Sequence, residues 1–156
     1  MITTRRCRQA RQRGGSIIEV TLMAPWIFFL FVGVLDFGFY SYAAVATQNA
    51  ARVAALHTSS SQKRVSDAGT ACFYALEELR WTPNIKSMVN TCAVTPAGVS
   101  SSLPVAVTAG PVTGADGAPA AQVSVTYQSV PLIPIPGIIP KQITLTRVAQ
   151  MRVNGN

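Results

Sequence analysis

The chain has 156 residues, of which 49% are hydrophobic and 12% are charged, and its formal net charge is +7. This length fits one modest domain plus a membrane segment, and so apolar a composition favours a membrane-associated protein. Five arginines before Gly14 supply most of the excess charge, and the rest carries eight Lys and Arg against six Asp and Glu. Because a nucleic-acid-binding face spreads basic residues over a folded surface, we expect no nucleic-acid partner.

Motifs that would indicate catalysis are absent from the sequence. It contains no GxSxG, P-loop, HExxH, CxxC or dinucleotide fingerprint. His57 is the only histidine, so we expect it to be solvated or to cap a helix rather than to bind a metal. Glu77 and Glu78 are adjacent and point in different directions on a helix, which does not suit an acid–base pair. We therefore expect no enzyme, no catalytic residue, no metal and no cofactor.

The first predicted element is a membrane-spanning helix. Between Ile17 and Tyr42 the only charged residues are Glu19 and Asp36, and this stretch reaches the roughly 20 residues that a spanning helix needs. The arginines flank only its N-terminal side, so the positive-inside rule places the N-terminus in the cytoplasm and everything after about Tyr42 outside. Proline is tolerated in membrane helices, usually as a kink, so we expect a bend near Pro25.

A cleaved secretory signal is the alternative reading of this segment. The apolar run is longer than a typical signal core, Glu19 interrupts its start, and the sequence after Ala43 continues in helix-favouring residues. These features disfavour cleavage there. The small residues from Ala43 to Ala46 nevertheless keep open a secreted domain that begins near residues 44–47.

Glu19 stands two residues inside the apolar run, where a charge is costly. Prepilin-like proteins carry a short basic leader, a glycine, and then an apolar helix with glutamate at the fifth mature position, and RQRGGSIIEV resembles that pattern. The resemblance implies cleavage between Gly14 and Gly15 by a prepilin peptidase. The new amine and Glu19 would then share one helix face, and in the wider family this glutamate meets a subunit's amine during assembly. A glutamate that merely snorkels to the interface is the alternative.

A longer resemblance covers about Gly14 to Leu56. The chain is similar there to the TadE-like family of tight-adherence (Tad) pilus biogenesis proteins, through Glu19, Pro25, Asp36-Phe37-Gly38 and the segment QNAAR. The C-terminal PLIPIPG followed by ITLTRVAQMRV also resembles the end of that family's domain. Val20 and Asp36 depart mildly from the family pattern. By this resemblance Glu19, Pro25 and Asp36 are the expected assembly and recognition residues.

The resemblance implies a pseudopilin-like subunit of a Tad pilus assembly or secretion system, with adhesion or secretion as the output. Its expected partners are the lipid bilayer, a prepilin peptidase, other pilin or pseudopilin subunits and the Tad inner-membrane platform. Its expected location is the bacterial inner membrane, single-pass, with a periplasmic head and possible incorporation in an extracellular pilus. An unprocessed single-pass protein with a partner-binding periplasmic domain is the alternative, and a place at the tip or base of the fibre stays open.

Beyond the membrane, the alanine-rich residues 43–56 predict that the helix continues outward to His57. Four positions of this stretch recur at helical spacing, and we expect the side of the helix that carries them to pack on a globular head. They are Val45, Gln48 or Asn49, Arg52 and Leu56. Arg52 would either pair with an acidic group or be solvated. A polar break, TSSSQ, precedes a second helix predicted over about Ser61 to Trp81. The expected parts are thus a leader (1–14), the helix (15–57) and a head (58–156).

From Lys86 onward the sequence predicts strands, in SMVNTCAV, LPVAVTAG, AQVSVTYQSV and KQITLTRVAQMRV. The last two flank an apolar, proline-rich loop (131–140), so antiparallel pairing is the simplest topology. Proline excludes a regular strand in this loop, which we expect to contact a partner or the membrane. The predicted fold class is α+β and pilin-like: a long N-terminal transmembrane helix, a second helix and an antiparallel sheet in a small periplasmic head.

The three cysteines fall on two sides of the predicted membrane. Cys7 lies in the basic leader, whereas Cys72 and Cys92 lie in the exported part. Exported cysteines in an oxidising compartment are more often bonded than free. We therefore predict a Cys72–Cys92 disulfide, with two buried free thiols as the alternative.

Overall fold

The structure is a computed structural model that describes residues 13–85, 92–93, 99, 103–130, 133 and 142–154. Its first element is a long helix, α1, from Arg13 to Thr58. Apolar and alanine-rich stretches favour the helix along this length, and Pro25 lies inside it. Hydroxyl groups cap its C-terminal end, because Thr58 Oγ1 donates to the carbonyl oxygen of Ala54 at 3.0 Å and Ser59 Oγ to that of Leu56 at 2.9 Å.

The chain divides into two compact units between Gly38 and Phe39. The first unit contains the apolar part of α1, in which every described side chain from Ile17 to Phe31 is exposed. The second unit, Phe39–Asn156, is called the head here and includes the alanine-rich end of α1. The boundaries expected at residues 14 and 57 stay predictions.

The second helical region is shorter than the sequence predicts. A 3₁₀ turn, Gln62–Arg64, comes first, and helix α2 runs from Ala68 to Leu79. Asp67 caps α2 by accepting from the Thr70 backbone N–H at 3.0 Å. A side-chain cap of this kind fixes a helix start, so the predicted continuous helix from Ser61 is wrong in its first turns.

Three strands form an antiparallel sheet in the order β1-β2-β3. Their bounds are Val105–Thr113, Pro119–Gln128 and Thr144–Arg152. The antiparallel pairing predicted for the last two strands is confirmed, with Tyr127 opposite Leu145. Of the strand predicted in SMVNTCAV, only Cys92 and Ala93 lie among the described residues, and Ala93 forms an isolated parallel bridge with Ala106. The expected α+β fold class is therefore confirmed.

The head has one main core between the sheet and both helices. Alternate strand residues enter it, as their spacing predicts, among them Val123, Val125 and Tyr127. Alanines of α1 and α2 meet these residues: Ala43, Ala50, Ala51, Ala54, Ala55, Ala71 and Ala75. Since alanine side chains are short, the helix backbones can approach closely.

The side of α1 expected to pack on the head is the wrong one. Val45, Asn49, Arg52 and Leu56 are exposed, whereas four alanines among them are buried: Ala50, Ala51, Ala54 and Ala55. Alanines of α1 enter the core instead.

Candidate membrane and assembly surfaces

The apolar part of α1 has the properties of a membrane span. Within the described residues it is the one helix long and apolar enough to cross a bilayer by length and composition. Large side chains are uncovered along it, with Trp26 75% exposed and Leu22 70% exposed. Contiguous apolar exposure of this size marks an interaction surface, and a chain of this kind fits a single-pass membrane protein.

Glu19 lies at the N-terminal end of this apolar surface. Its side chain is exposed and borders a shallow apolar face that includes Val20, Met23 and Ile27. Gly15 precedes it by four residues within α1, so the two positions lie on one side of the helix. The carboxylate therefore stands where a cationic group near the helix start can reach it.

The predicted processing site, Gly14–Gly15, lies in the first turn of α1. Nothing lies within 4 Å of where a Cβ on Gly15 would stand, so contacts within the chain do not explain a glycine there. Because a narrow protease cleft takes an extended backbone, cleavage at this bond requires the first turn of the helix to open.

Pro25 and Asp36, the other two predicted recognition residues, lie at separate places on α1. Pro25 has no N–H, so it cannot donate to the carbonyl oxygen of Thr21 one turn earlier. Asp36 is only 7% exposed, and its Oδ2 atom has no hydrogen-bond partner. A buried carboxylate oxygen without a partner is unusual and marks Asp36 as a position that structural packing does not explain. The structure does not bring Glu19, Pro25 and Asp36 together into one site.

On the head, α1, α2 and β3 border a shallow depression of about 300 Å³. Arg52 and Glu78 lie on its walls with opposite charge, and Leu56 and Met151 supply apolar surface. The ion pairs found among the described residues join Glu77 to Arg80 and Asp116 to Arg152, so neither Arg52 nor Glu78 takes part in them. Of the two readings open for Arg52, the structure therefore favours the exposed, solvated one.

A ring stack joins α1 to α2, and a disulfide bond joins α2 to Cys92, which precedes β1. The His57 ring stacks on the Tyr74 ring, with centroids 3.6 Å apart and planes inclined by 2°. The solvated or capping histidine expected from the sequence thus has an aromatic partner on α2. Cys72 of α2 and Cys92 are joined by a disulfide bond, with Cα atoms 5.9 Å apart.

Among the residues that the structure describes, no three His, Cys, Asp or Glu side chains come together in a way that could hold a metal ion. Cys7 and most of the proline-rich loop lie outside the described residues. Ile133 is the described member of that loop, and it is exposed.

Comparisons with known proteins bear on the N-terminal segment. No curated protein and no solved structure matches the chain. The sequence model of one family, TadE-like protein, matches residues 14–56. The matched range begins at the predicted processing site and ends at Leu56, so it contains Glu19, Pro25 and Asp36. The match confirms the resemblance to the TadE-like family over this segment and indicates a Tad pilus-associated protein.

Proposed function

We propose that this protein is a pseudopilin-like subunit of a Tad pilus assembly or secretion system, with a structural part in fibre biogenesis. One observation carries the proposal. Within the segment that matches the TadE-like family, residues 17–31 form an uncovered apolar stretch of helix, and Glu19 follows Gly15 by four residues. An apolar helix with a carboxylate near its start can both cross a bilayer and pack against similar helices.

In this proposal a prepilin peptidase cuts the Gly14–Gly15 bond on the cytoplasmic face and removes the basic leader. The cut exposes an α-amine at Gly15, on the same side of the helix as Glu19. In the membrane an unpaired carboxylate is costly, so pairing Glu19 with the amine of an incoming subunit stabilises the stacked arrangement. The head stays in the periplasm while the helix moves from lipid to fibre, and the inner-membrane platform drives that movement.

N-terminal sequencing of the protein purified from membranes tests the processing step. The proposal expects mature chains that begin at Gly15. Chains that begin at Met1 would contradict it and favour the alternative of an unprocessed single-pass protein with a partner-binding head. Chains that begin near residues 44–47 would instead support a secreted domain.

Glu19→Gln tests the assembly step separately, because it keeps the size of the side chain and removes the charge. We expect leader removal to continue and incorporation into fibres to be lost, as judged by immunoblotting of sheared fibres. Glu77→Gln is the matched control, since Glu77 is an exposed carboxylate on the head. Normal fibre incorporation of the Glu19→Gln protein would contradict the assigned role.

A further inference from the structure

One side of α1 within the head is left uncovered by the rest of the head. Between residues 43 and 57 the fully exposed side chains are Val45, Asn49, Arg52 and Leu56. Their spacing of four, three and four residues places them on one side of the helix, and we call them the outer stripe. Val45 is 61% exposed and Leu56 58% exposed. Because the outward side of a helix in water is usually polar, an apolar residue at each end of this stripe indicates a contact surface.

Glu78 of α2 lies beside the outer stripe. It follows Tyr74 by one turn on the same side of α2, and the Tyr74 ring stacks on that of His57 near the end of α1. Glu78 and Arg52 thus border one depression, which Met151 lines with apolar surface. Within the described part of a single copy, neither Arg52 nor Glu78 takes part in an ion pair.

A surface that carries both signs of charge beside apolar groups is complementary to itself. A two-fold axis between the two walls of the depression would bring Arg52 of one copy to Glu78 of the other, and the reciprocal pair would form at the same time. A partner of a single sign would instead meet a like charge at one wall. The same contact would remove Val45 and Leu56 from water.

We propose that the head associates with the head of a second copy of this chain through the outer stripe, with Arg52 of each copy paired to Glu78 of the other. The residues that carry this contact all belong to the head. The contact therefore requires neither leader cleavage nor the role given to Glu19, and its test is separate from the tests of the proposed function.

Crosslinking of the full chain in detergent micelles tests where two copies meet. Cys7→Ser removes the third cysteine, and Asn49→Cys then places a thiol in the outer stripe, apart from the Cys72–Cys92 bond. We expect a short bis-maleimide to join two copies at this position.

Val148→Cys, also with Cys7→Ser, is the matched control. Val148 is 47% exposed on β3 and alternates with buried Ala149, so it lies on the face of the sheet away from the core. We expect little crosslinking there. Equal yields at Asn49→Cys and Val148→Cys would overturn the proposal.

Two charge reversals, Arg52→Glu and Glu78→Arg, test the pairing in the Asn49→Cys background. Either reversal alone sets like charges together at both contacts, so we expect the crosslinked fraction to fall by about tenfold or more. When the two variants are mixed with different tags, opposite charges meet again at both contacts, and crosslinks between the two tags should return to the native level. An ion pair within one chain cannot give this rescue, because each variant lacks one member of it.

Glu77→Arg is the control for the charge change, because Glu77 is an exposed carboxylate on the same helix that already pairs with Arg80. It should leave the crosslinked fraction unchanged. Native-level crosslinking of either single reversal would overturn the proposal, as would a mixture of the two that fails to recover. Near-ultraviolet circular dichroism checks that each variant keeps the native fold. If a reversal prevents folding, the comparison of the two thiol positions decides the question without it.

Discussion

Tyr127 Oη donates a hydrogen bond of 2.7 Å to Asn84 Oδ1 and so joins the middle strand of the sheet to the turn that follows α2. Tyr127 is fully buried, and its ring lies in the core beside both helices. One side chain thus supplies apolar packing and satisfies a polar atom from a segment 43 residues away.

Tyr127→Phe keeps the ring and removes the donor, which leaves Asn84 Oδ1 unsatisfied. We expect the free energy of unfolding of the head to fall by about 1–3 kcal/mol. Urea unfolding of the protein in detergent micelles measures this change. Tyr74→Phe is the control, because it keeps the ring stack on His57, and we expect a change below about 0.5 kcal/mol. Equal stability of the Tyr127→Phe and native proteins would contradict the role given to this bond.

Burial raises the pKa of Tyr127 above its usual value of 10.0. A group whose pKa is higher in the folded state stabilises that state below the unfolded pKa and loses this contribution as the pH rises through the folded pKa. We therefore expect stability to decline above about pH 10 in the native protein and to decline less in Tyr127→Phe. Parallel declines in the two proteins would show that another group is responsible.

Asp67 makes α2 sensitive to acid. The hydroxyl and backbone N–H of Thr70 donate to its carboxylate and lower its pKa below the usual 3.8. The stabilisation is present above that usual value and is lost as the pH falls through the folded pKa. We expect Asp67→Ala to lower the free energy of unfolding of the head at neutral pH. Below pH 3.8 the free energy of unfolding of this variant should depend less on pH than that of the native protein. Asp67→Asn can still accept from Thr70, so it should lose less stability than Asp67→Ala at neutral pH. An Asp67→Ala protein as stable as the native one would contradict the capping role.

The Cys72–Cys92 disulfide closes a loop between positions 20 apart in sequence. By the chain-entropy estimate, replacing both residues with alanine lowers the free energy of unfolding by about 3 kcal/mol. Urea unfolding compares this variant with the native protein. A thiol-specific label followed by mass measurement checks the bond itself, and labelling of both cysteines in unreduced native protein would contradict it.

Gly117 occupies the turn between β1 and β2 with φ of +77°. Its N–H donates to the carbonyl oxygen of Gly114 at 3.0 Å. Because an L side chain is strained in this region, we expect Gly117→Ala to cost about 1–2 kcal/mol. Gly110 in β1 is the control, since it has ordinary φ and open space where a Cβ would stand. In thermal unfolding, Gly110→Ala should be nearly as stable as the native protein and Gly117→Ala less stable. A Gly117→Ala protein more stable than Gly110→Ala would contradict the role given to Gly117.

Much of the secondary structure could be read from local sequence. The uncharged run between Glu19 and Asp36 and the alanine-rich residues 43–56 predict the long helix, because both signals depend on residues close together in the chain. The alternation of Val123, Val125 and Tyr127 likewise predicts which strand face is buried. Periodicity does not predict the start of α2, because capping by Asp67 depends on where one side chain points.

Local sequence is enough to predict a membrane-length helix with a carboxylate near its start, a strand-rich head and the TadE-like resemblance. Only the packing of distant segments defines which side of α1 enters the core and that His57 stacks on Tyr74. The physical reason is that periodicity identifies a regular element but not the space beside it. The packed chain buries Ala50, Ala51, Ala54 and Ala55 and leaves Leu56 exposed, and only contacts between segments distant in the sequence define that choice.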